Sequence, residues 1–364
     1  MVNSTAARAS RCGRLPTPTL APGVITSSAA PVTIGSPCHV GHKRHDPDAE
    51  GRHRERTPSP PGRLCDVPDR VARNVTPHRR RSLIAVWVLR FAWIAVGSAV
   101  SFVVDDTGAT RWVLAVTWTI AAVAISVPAV ITLTVARITV PLAPIAVAIT
   151  AIDNAAREPL ALGVAAVAAS AATVIVLSAE VGAAFVQASA YGAETRLLLR
   201  PPAAFGAAAV VMWVVWSALS SVAAVALAHE MVVTTTVTGV PAIAAAVFAA
   251  PRWHRLARRW LVGVPAGIVV HDPLVLNETL MMRHRDLTGV VLASADTDAA
   301  DLTGPAGGTA IEITVRESTT VLIADGRNNP RGRAIHARAV LVAPTRPGWA
   351  LSALSRTQPT APMP

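Results

Sequence analysis

The sequence predicts an α-helical polytopic membrane domain of six transmembrane helices, a small mainly-β domain behind it, and a disordered tail in front. Three observations carry this. Hydrophobic residues make up 52% of the 364-residue chain and charged residues 15%, where a soluble domain carries about 25% charge. The charge is segregated: basic residues outnumber acidic ones 14 to 6 over 1–81 and 13 to 9 over 251–364, against 6 basic and 7 acidic over 82–250. The apolar texture also changes, from long runs in the middle to short runs broken by turns near the end.

Residues 1–81 are rich in Pro, Arg, Ser and His and follow neither the period of 2 nor that of 3.6. A run such as Arg52-His53-Arg54-Glu55-Arg56-Thr57-Pro58-Ser59-Pro60-Pro61 cannot bury enough apolar surface to offset its chain entropy. Two expectations stand for this segment: a disordered basic tail, or an over-extended gene model with initiation near Val71 and Arg79-Arg80-Arg81 as the cytoplasmic anchor. The cluster Cys38-His39-x-x-His42-x-x-His45 has metal-binding side chains without a scaffold, so no metal and no cofactor is expected. The three cysteines, Cys12, Cys38 and Cys65, do not form a disulfide framework. No aromatic residue lies in 1–81, so base stacking on nucleic acid is not offered. Met1 to Thr19 lack the apolar core of a secretory signal.

Over 82–250 the predicted helices are 83–104, 112–135, 138–152, 159–187, 203–228 and 232–250. The third is the least regular, with Pro141, Pro144 and only Ala136-Arg137 separating it from the second. Loop charge decides between five and six spans. With the N-terminus inside, inner loops hold Arg137, then Glu194, Arg196 and Arg200, then the arginines after 251. Outer loops hold Asp105, Asp106 and Arg111, then Asp153, Arg157 and Glu158, then His229 and Glu230. Positive residues favour the cytoplasmic side, so six spans with both termini cytoplasmic in the plasma membrane are expected. The outer acids form either a cation or substrate mouth or simply loops poor in positive charge.

Two ionisable residues fall inside predicted spans, Arg90 in the first and Glu180 in the fourth, at matching depths. An unpaired charge there costs at least about 2.5 kcal/mol. Either Arg90 and Glu180 pair and fix the first helix on the fourth, or each snorkels to the inner interface.

The segment 251–364 opens with Pro251-Arg252-Trp253-His254-Arg255-Leu256-Ala257-Arg258-Arg259-Trp260, a mixture suited to the headgroup layer. Arg252, Trp253, Arg255, Arg258, Arg259 and Trp260 are therefore the candidate lipid-interface residues. Strands are predicted at 260–264, 267–271, 278–283, 288–293, 309–316, 319–324 and 335–342, closed by a helix over 345–354. His271 beside Asp272, and His284 near Asp286, form acid–base pairs only on paper. No nucleotide, nucleophile-elbow or metalloprotease motif is present, so no catalytic residue is assigned.

Seven short strands and a terminal helix resemble the PH-like domains that bacterial membrane proteins carry. The phrases Val264-Pro265-Ala266-Gly267, His271-Asp272-Pro273, Asp301-Leu302-Thr303 and Ala343-Pro344-Thr345-Arg346-Pro347-Gly348 resemble those of uncharacterised actinobacterial multi-pass membrane proteins. The resemblance covers roughly 82–357 and brings no agreed activity with it. The functional expectation is a non-enzymatic membrane scaffold or regulator whose β domain binds anionic lipid headgroups or a cytoplasmic protein partner. The alternative is a small transporter or channel using Arg90 and Glu180.

Overall fold

The computed structural model describes residues 77–104, 108–154, 156–326 and 329–357. The expectations for the tail before residue 77, including its Cys/His cluster and three cysteines, lie outside the described residues, as do Asp105 and Asp106. The helices are α1 (Pro77–Val103), α2 (Ala109–Ser126), α3 (Val130–Thr139), α4 (Leu142–Asn154), α5 (Pro159–Leu177), α6 (Ala179–Ala188), α7 (Ala203–Ala228) and α8 (Val232–Ala257). With α3 and α4 joined, these give six helices long and apolar enough to cross a membrane: His78–Val103, Ala109–Ser126, Val130–Ile152, Pro159–Leu177, Ala203–Ala228 and Val232–Ala257. The chain thus has the helices of a multi-pass membrane protein.

One predicted helix break is displaced and one further break is unpredicted, both for identifiable reasons. The second span ends at Ser126, not at 135, because Pro128 disfavours the helical conformation at Val127, which is extended (φ −105°, ψ 101°). Thr132 then caps the new start: its hydroxyl accepts from the Ala129 N–H at 3.0 Å and donates to the Val127 carbonyl. Arg137, expected in a loop, lies inside α3 as a result. The predicted helix 159–187 breaks at Ser178, which is extended (φ −66°, ψ 156°) and accepts the Val181 N–H on its hydroxyl at 3.3 Å. Glu180 therefore sits in the first turn of the short helix α6 and not within a span.

The bundle core is built from α1 to α6. Leu89, Ile125, Leu133, Ala165, Ala169, Val176, Val181 and Phe185 are among its fully buried side chains. Small residues on α5 let α1 approach closely, packing by van der Waals contact. Tryptophan donors add directional links. Trp93 and Trp118 donate to each other's backbone carbonyls at 3.1 and 3.0 Å, tying α1 to α2. Trp213 on α7 donates to the Ile138 carbonyl of α3 at 3.0 Å, and Trp253 on α8 to the Ala209 carbonyl of α7 at 3.1 Å.

The strands are β1 (Thr195–Leu198), β2 (Trp260–Val264), β3 (Gly267–His271), β4 (Leu280–Arg283), β5 (Leu287–Leu292), β6 (Ala300–Asp301), β7 (Ile311–Asp325) and β8 (Asn329–Val342), followed by α9 (Pro347–Thr357). They form two four-stranded sheets, ordered β1-β2-β3-β4 and β5-β7-β8-β6. The predicted strands 309–316 and 319–324 are one bent strand, β7, whose register against β8 shifts between Thr314 and Thr319. Gly267 closes the β2–β3 turn where a Cβ would lie 2.1 Å from the Met282 carbonyl oxygen, so no side chain fits.

Leu261, Ile268, Val270, Leu280 and Met282 from the first sheet face Ile311, Ile313, Val340 and Val342 from the second, and Ala350, Ala353 and Leu354 of α9 close the core. The β region is not confined to 251–364 as the sequence predicts. Strand β1 comes from the connection between α6 and α7 and pairs antiparallel with β2, Arg196 opposite Val262 and Leu198 opposite Trp260. Alternation then gives the first sheet two buried faces. Leu197 and Leu199 enter the β core, while Leu198 and Trp260 pack against the bundle core. Gln187 of α6 fixes the strand's start, donating to the Glu194 carbonyl and accepting the Arg196 N–H, both at 2.9 Å.

Candidate functional site

The chemistry-bearing side chains collect where the bundle meets the first sheet. The last turns of α8 separate two environments. Trp253 and Ala257 are buried, and Arg252, Arg255 and Arg258 are exposed. Arg252 stays close to its own helix, its guanidinium 3.5 Å from the Phe248 ring centroid. Trp253, proposed from sequence as a lipid contact, is 8% exposed, and its indole edge meets Trp216 at 5.9 Å inside the bundle.

Arg259 is also not a lipid contact. It lies past the helix end, is 1% exposed, and donates through Nε and Nη2 to the two Asp272 carboxylate oxygens at 2.8 and 2.5 Å. Its Nη1 donates to the Arg200 carbonyl and its Nη2 also to the Thr303 carbonyl at 3.3 Å. Asp272 accepts the Leu274 and Val275 N–H groups at 3.1 and 3.3 Å. One buried guanidinium thus ties the end of α8, the strand β1 connection and two loops of the β domain. A bidentate pair with its remaining donors satisfied is the form in which a buried charge is tolerated.

Trp260 is half-buried and stacks with His271 at 5.0 Å between ring centroids, while the Arg196 guanidinium lies 5.5 Å from the Trp260 ring on the β1 side. Arg196 is neutralised by Glu194 at 2.9 Å. The Tyr191 backbone N–H and then Arg196 hold the Glu194 carboxyl below its usual range. The His271 Nδ1 is 3.1 Å from the Thr279 hydroxyl, and its Nε2 is buried with no hydrogen-bond partner. Burial first, then Arg258, hold the His271 imidazole below its ordinary value; Asp272 acts in the opposite sense and Arg196 adds to the depression. His284 approaches the Val264 carbonyl at 3.2 Å instead of forming an acid–base pair with Asp286.

Arg90 and Glu180, expected either to pair or to snorkel separately, are not brought together. Arg90 donates to the Ser126 carbonyl at 2.9 Å, at the C-terminal end of α2, and lies 4.9 Å from the Trp87 ring. Arg137 does the same for α5, with its Nε 3.4 Å from the Val176 carbonyl. Unsatisfied carbonyls and the negative end of the helix dipole thus accept both arginines. Glu180, at the positive end of α6, is bound by Arg346 from the segment before α9.

Sequence reasoning placed Arg196 and Arg200 only as inner-loop charges and Arg346 only within a turn phrase, and it missed the strand β1 and the partners of all three. The turn phrases His271-Asp272-Pro273 and Asp301-Leu302-Thr303 did mark the loops that receive Arg259. Among the described residues, no group of three or more His, Cys, Asp or Glu side chains is placed to hold a metal ion. Two clefts of about 500 and 350 Å³ open on the bundle. The first is lined mainly by Trp112, Val116, Ile120 and Val123, the second by Pro144, Val147, Leu162 and Gly163. Both are apolar grooves between neighbouring helices.

No protein-family model, curated protein or solved structure matches the chain. What the geometry defines is a bundle with six helices long and apolar enough to cross a membrane and a β region packed on one end of it.

Proposed function

We propose that this chain is a non-enzymatic scaffold or regulator of the plasma membrane, with a PH-like cytoplasmic β domain whose basic rim binds anionic lipid headgroups. The observation that carries this is the sorting of the arginines after the last span. Arg259 is consumed by Asp272, whereas Arg252, Arg255 and Arg258 remain exposed where α8 leaves the bundle. Arg79, Arg80 and Arg81 are exposed at the start of α1, and this helix end meets the β domain through His78, stacked on Trp349 at 5.8 Å. The opposite end offers Arg111 and Arg157. Positive residues concentrate at cytoplasmic ends of membrane helices and attract anionic lipid there. The count of seven strands, β2 to β8, with α9 behind them supports the PH-like reading, while β1 joins the first sheet and β6 pairs parallel with β8 in the second.

The transporter alternative loses its coupling pair, since Arg90 and Glu180 each hold a different partner. The test is native mass spectrometry of the full chain released from nanodiscs of equal phosphatidylcholine and phosphatidylglycerol. Preferential retention of phosphatidylglycerol, lost in R252Q/R255Q/R258Q, is the expected result. Equal retention of both lipids by the unaltered chain overturns the proposal.

A further inference from the structure

The β7–β8 hairpin is covered along one edge and open along the other. On the outer side of β7, β5 pairs Leu287–Leu292 with Ile311–Val315. Further along, the Asn277 N–H donates to the Leu322 carbonyl and the Ala324 N–H to the Val275 carbonyl, both at 2.9 Å. On the outer side of β8, β6 pairs only with Val340 and Leu341, and the Leu302 N–H adds one bond to the Leu341 carbonyl at 3.1 Å. Among the described residues, no backbone group outside β7 bonds the main chain of Arg333–Ala339. Alternate residues of an antiparallel strand turn their N–H and C=O groups outward, so this stretch offers a template for a further strand.

That edge is basic. Strand β8 holds Arg331, Arg333, His336 and Arg338 and no acidic residue, and all four side chains are exposed. None of the three arginines has an ion pair among the described residues. The register is regular over Arg333–Ala337, so side chains alternate there. Arg333 shares the face of Ile335 and Ala337, which pack into the β core, and His336 lies on the other face. A bilayer surface meets one face of a strand, whereas an added strand sends alternate side chains to both. A second copy is disfavoured, because β8 paired with β8 sets arginines among arginines.

We propose that the β8 edge from Arg333 to Ala339 is a docking site for an extended acidic segment of a partner protein, which adds to the second sheet as a strand. The main chain of the segment extends the ladder, and its carboxylates answer the free guanidinium groups. Strand β6 limits the added strand at its Val340 end. This edge is a different surface from the arginines that follow α8, so it stands or falls independently of lipid binding there.

The experiment is fluorescence anisotropy with the full chain in maltoside micelles, with a labelled peptide of alternating Glu and Thr as the probe. A second peptide of the same sequence, N-methylated throughout, keeps the charge but donates nothing to a ladder. Saturable binding of the first peptide is expected, weakened by about tenfold or more for the second peptide and for R333Q/R338Q. R252Q/R255Q/R258Q is expected to bind the probe as the unaltered chain does. To locate the site, A334C and S352C, both at exposed positions, are compared in a chain without Cys12, Cys38 and Cys65. A probe carrying a central cysteine is expected to form a disulfide with A334C and not with S352C. Equal affinity for the two peptides reduces binding to charge attraction and overturns strand addition. No saturable binding, or equal trapping at S352C, overturns the site and leaves the arginines as guards of the edge. Loss of phosphatidylglycerol retention in R333Q/R338Q with peptide binding unchanged assigns these arginines to the membrane and overturns it as well.

Discussion

Arg259 and Asp272 form a bidentate ion pair whose side chains are 1% and 0% exposed, thirteen residues apart across the β2–β3 hairpin. Removing one partner strands a charge in the interior. R259Q and D272N are each expected to destabilise the chain by about 3–5 kcal/mol. R259M/D272L is expected to cost much less than the two singles combined. Denaturation of the detergent-solubilised chain measures all three, and additive losses would refute the coupling.

The reciprocal bonds of Trp93 and Trp118 predict a smaller effect. Hydrogen bonds between membrane helices contribute about 0.6 kcal/mol on average, up to about 1.7. W93F and W118F each remove one indole-to-carbonyl bond, and each is expected to destabilise the chain by about that hydrogen-bond energy beyond the loss of ring packing, read by denaturation of the solubilised chain. G97A should disturb the same contact, because a Cβ there would lie 2.5 Å from the Trp118 indole nitrogen. Cysteine cross-linking of α1 to α2 reports the displacement.

Strand β1 predicts a covalent link across the boundary between bundle and β domain. Arg196 and Val262 are Cα partners in an antiparallel pair, a spacing of about 4.5–5.5 Å that a disulfide spans. In a background without Cys12, Cys38 and Cys65, R196C/V262C should oxidise to a cross-linked form in the membrane. Two independently tethered domains would leave both thiols free.

The spans were legible because runs of Ala, Val and Leu long enough for a bilayer announce themselves. Their ends were not. Arg137 reads as a loop residue because it and Ala136 alone separate two apolar runs, whereas it lies inside α3 with its Nε 3.4 Å from the Val176 carbonyl at the end of α5. Nothing in the apolar run 159–187 marks Ser178, whose hydroxyl accepts the Val181 N–H and begins α6. Strand β1 is too short to alternate visibly, and it is buried on both faces by elements distant in sequence. The four arginines after the last span read alike. Arg259 differs in lying past the C-cap Arg258, where the helical period no longer says which way a side chain points. The candidate site was half visible for the same reason. Its arginines and tryptophans stood out, and the partners that sort them did not.

The depressed His271 imidazole gives stability a pH dependence with a definite sign. Protonation is harder in the folded state than in the unfolded one, so the contribution is fully present above the ordinary value of 6.5 and is lost as pH falls below it. Midpoints of thermal unfolding of the solubilised chain should therefore fall faster below that pH than those of H271Q. Parallel curves would show that His271 does not titrate differently on folding.

The most direct test of the account is sidedness. Ser352 on α9 and Glu230 between α7 and α8 are both exposed, at the β-bearing end and the opposite end of the bundle. In the cysteine-free background, S352C and E230C are each treated with a membrane-impermeant maleimide in intact cells. The account predicts labelling of E230C, and labelling of S352C only after permeabilisation. Labelling of S352C in intact cells, with E230C protected, would place the arginine-rich end and its β domain outside the cell and contradict it.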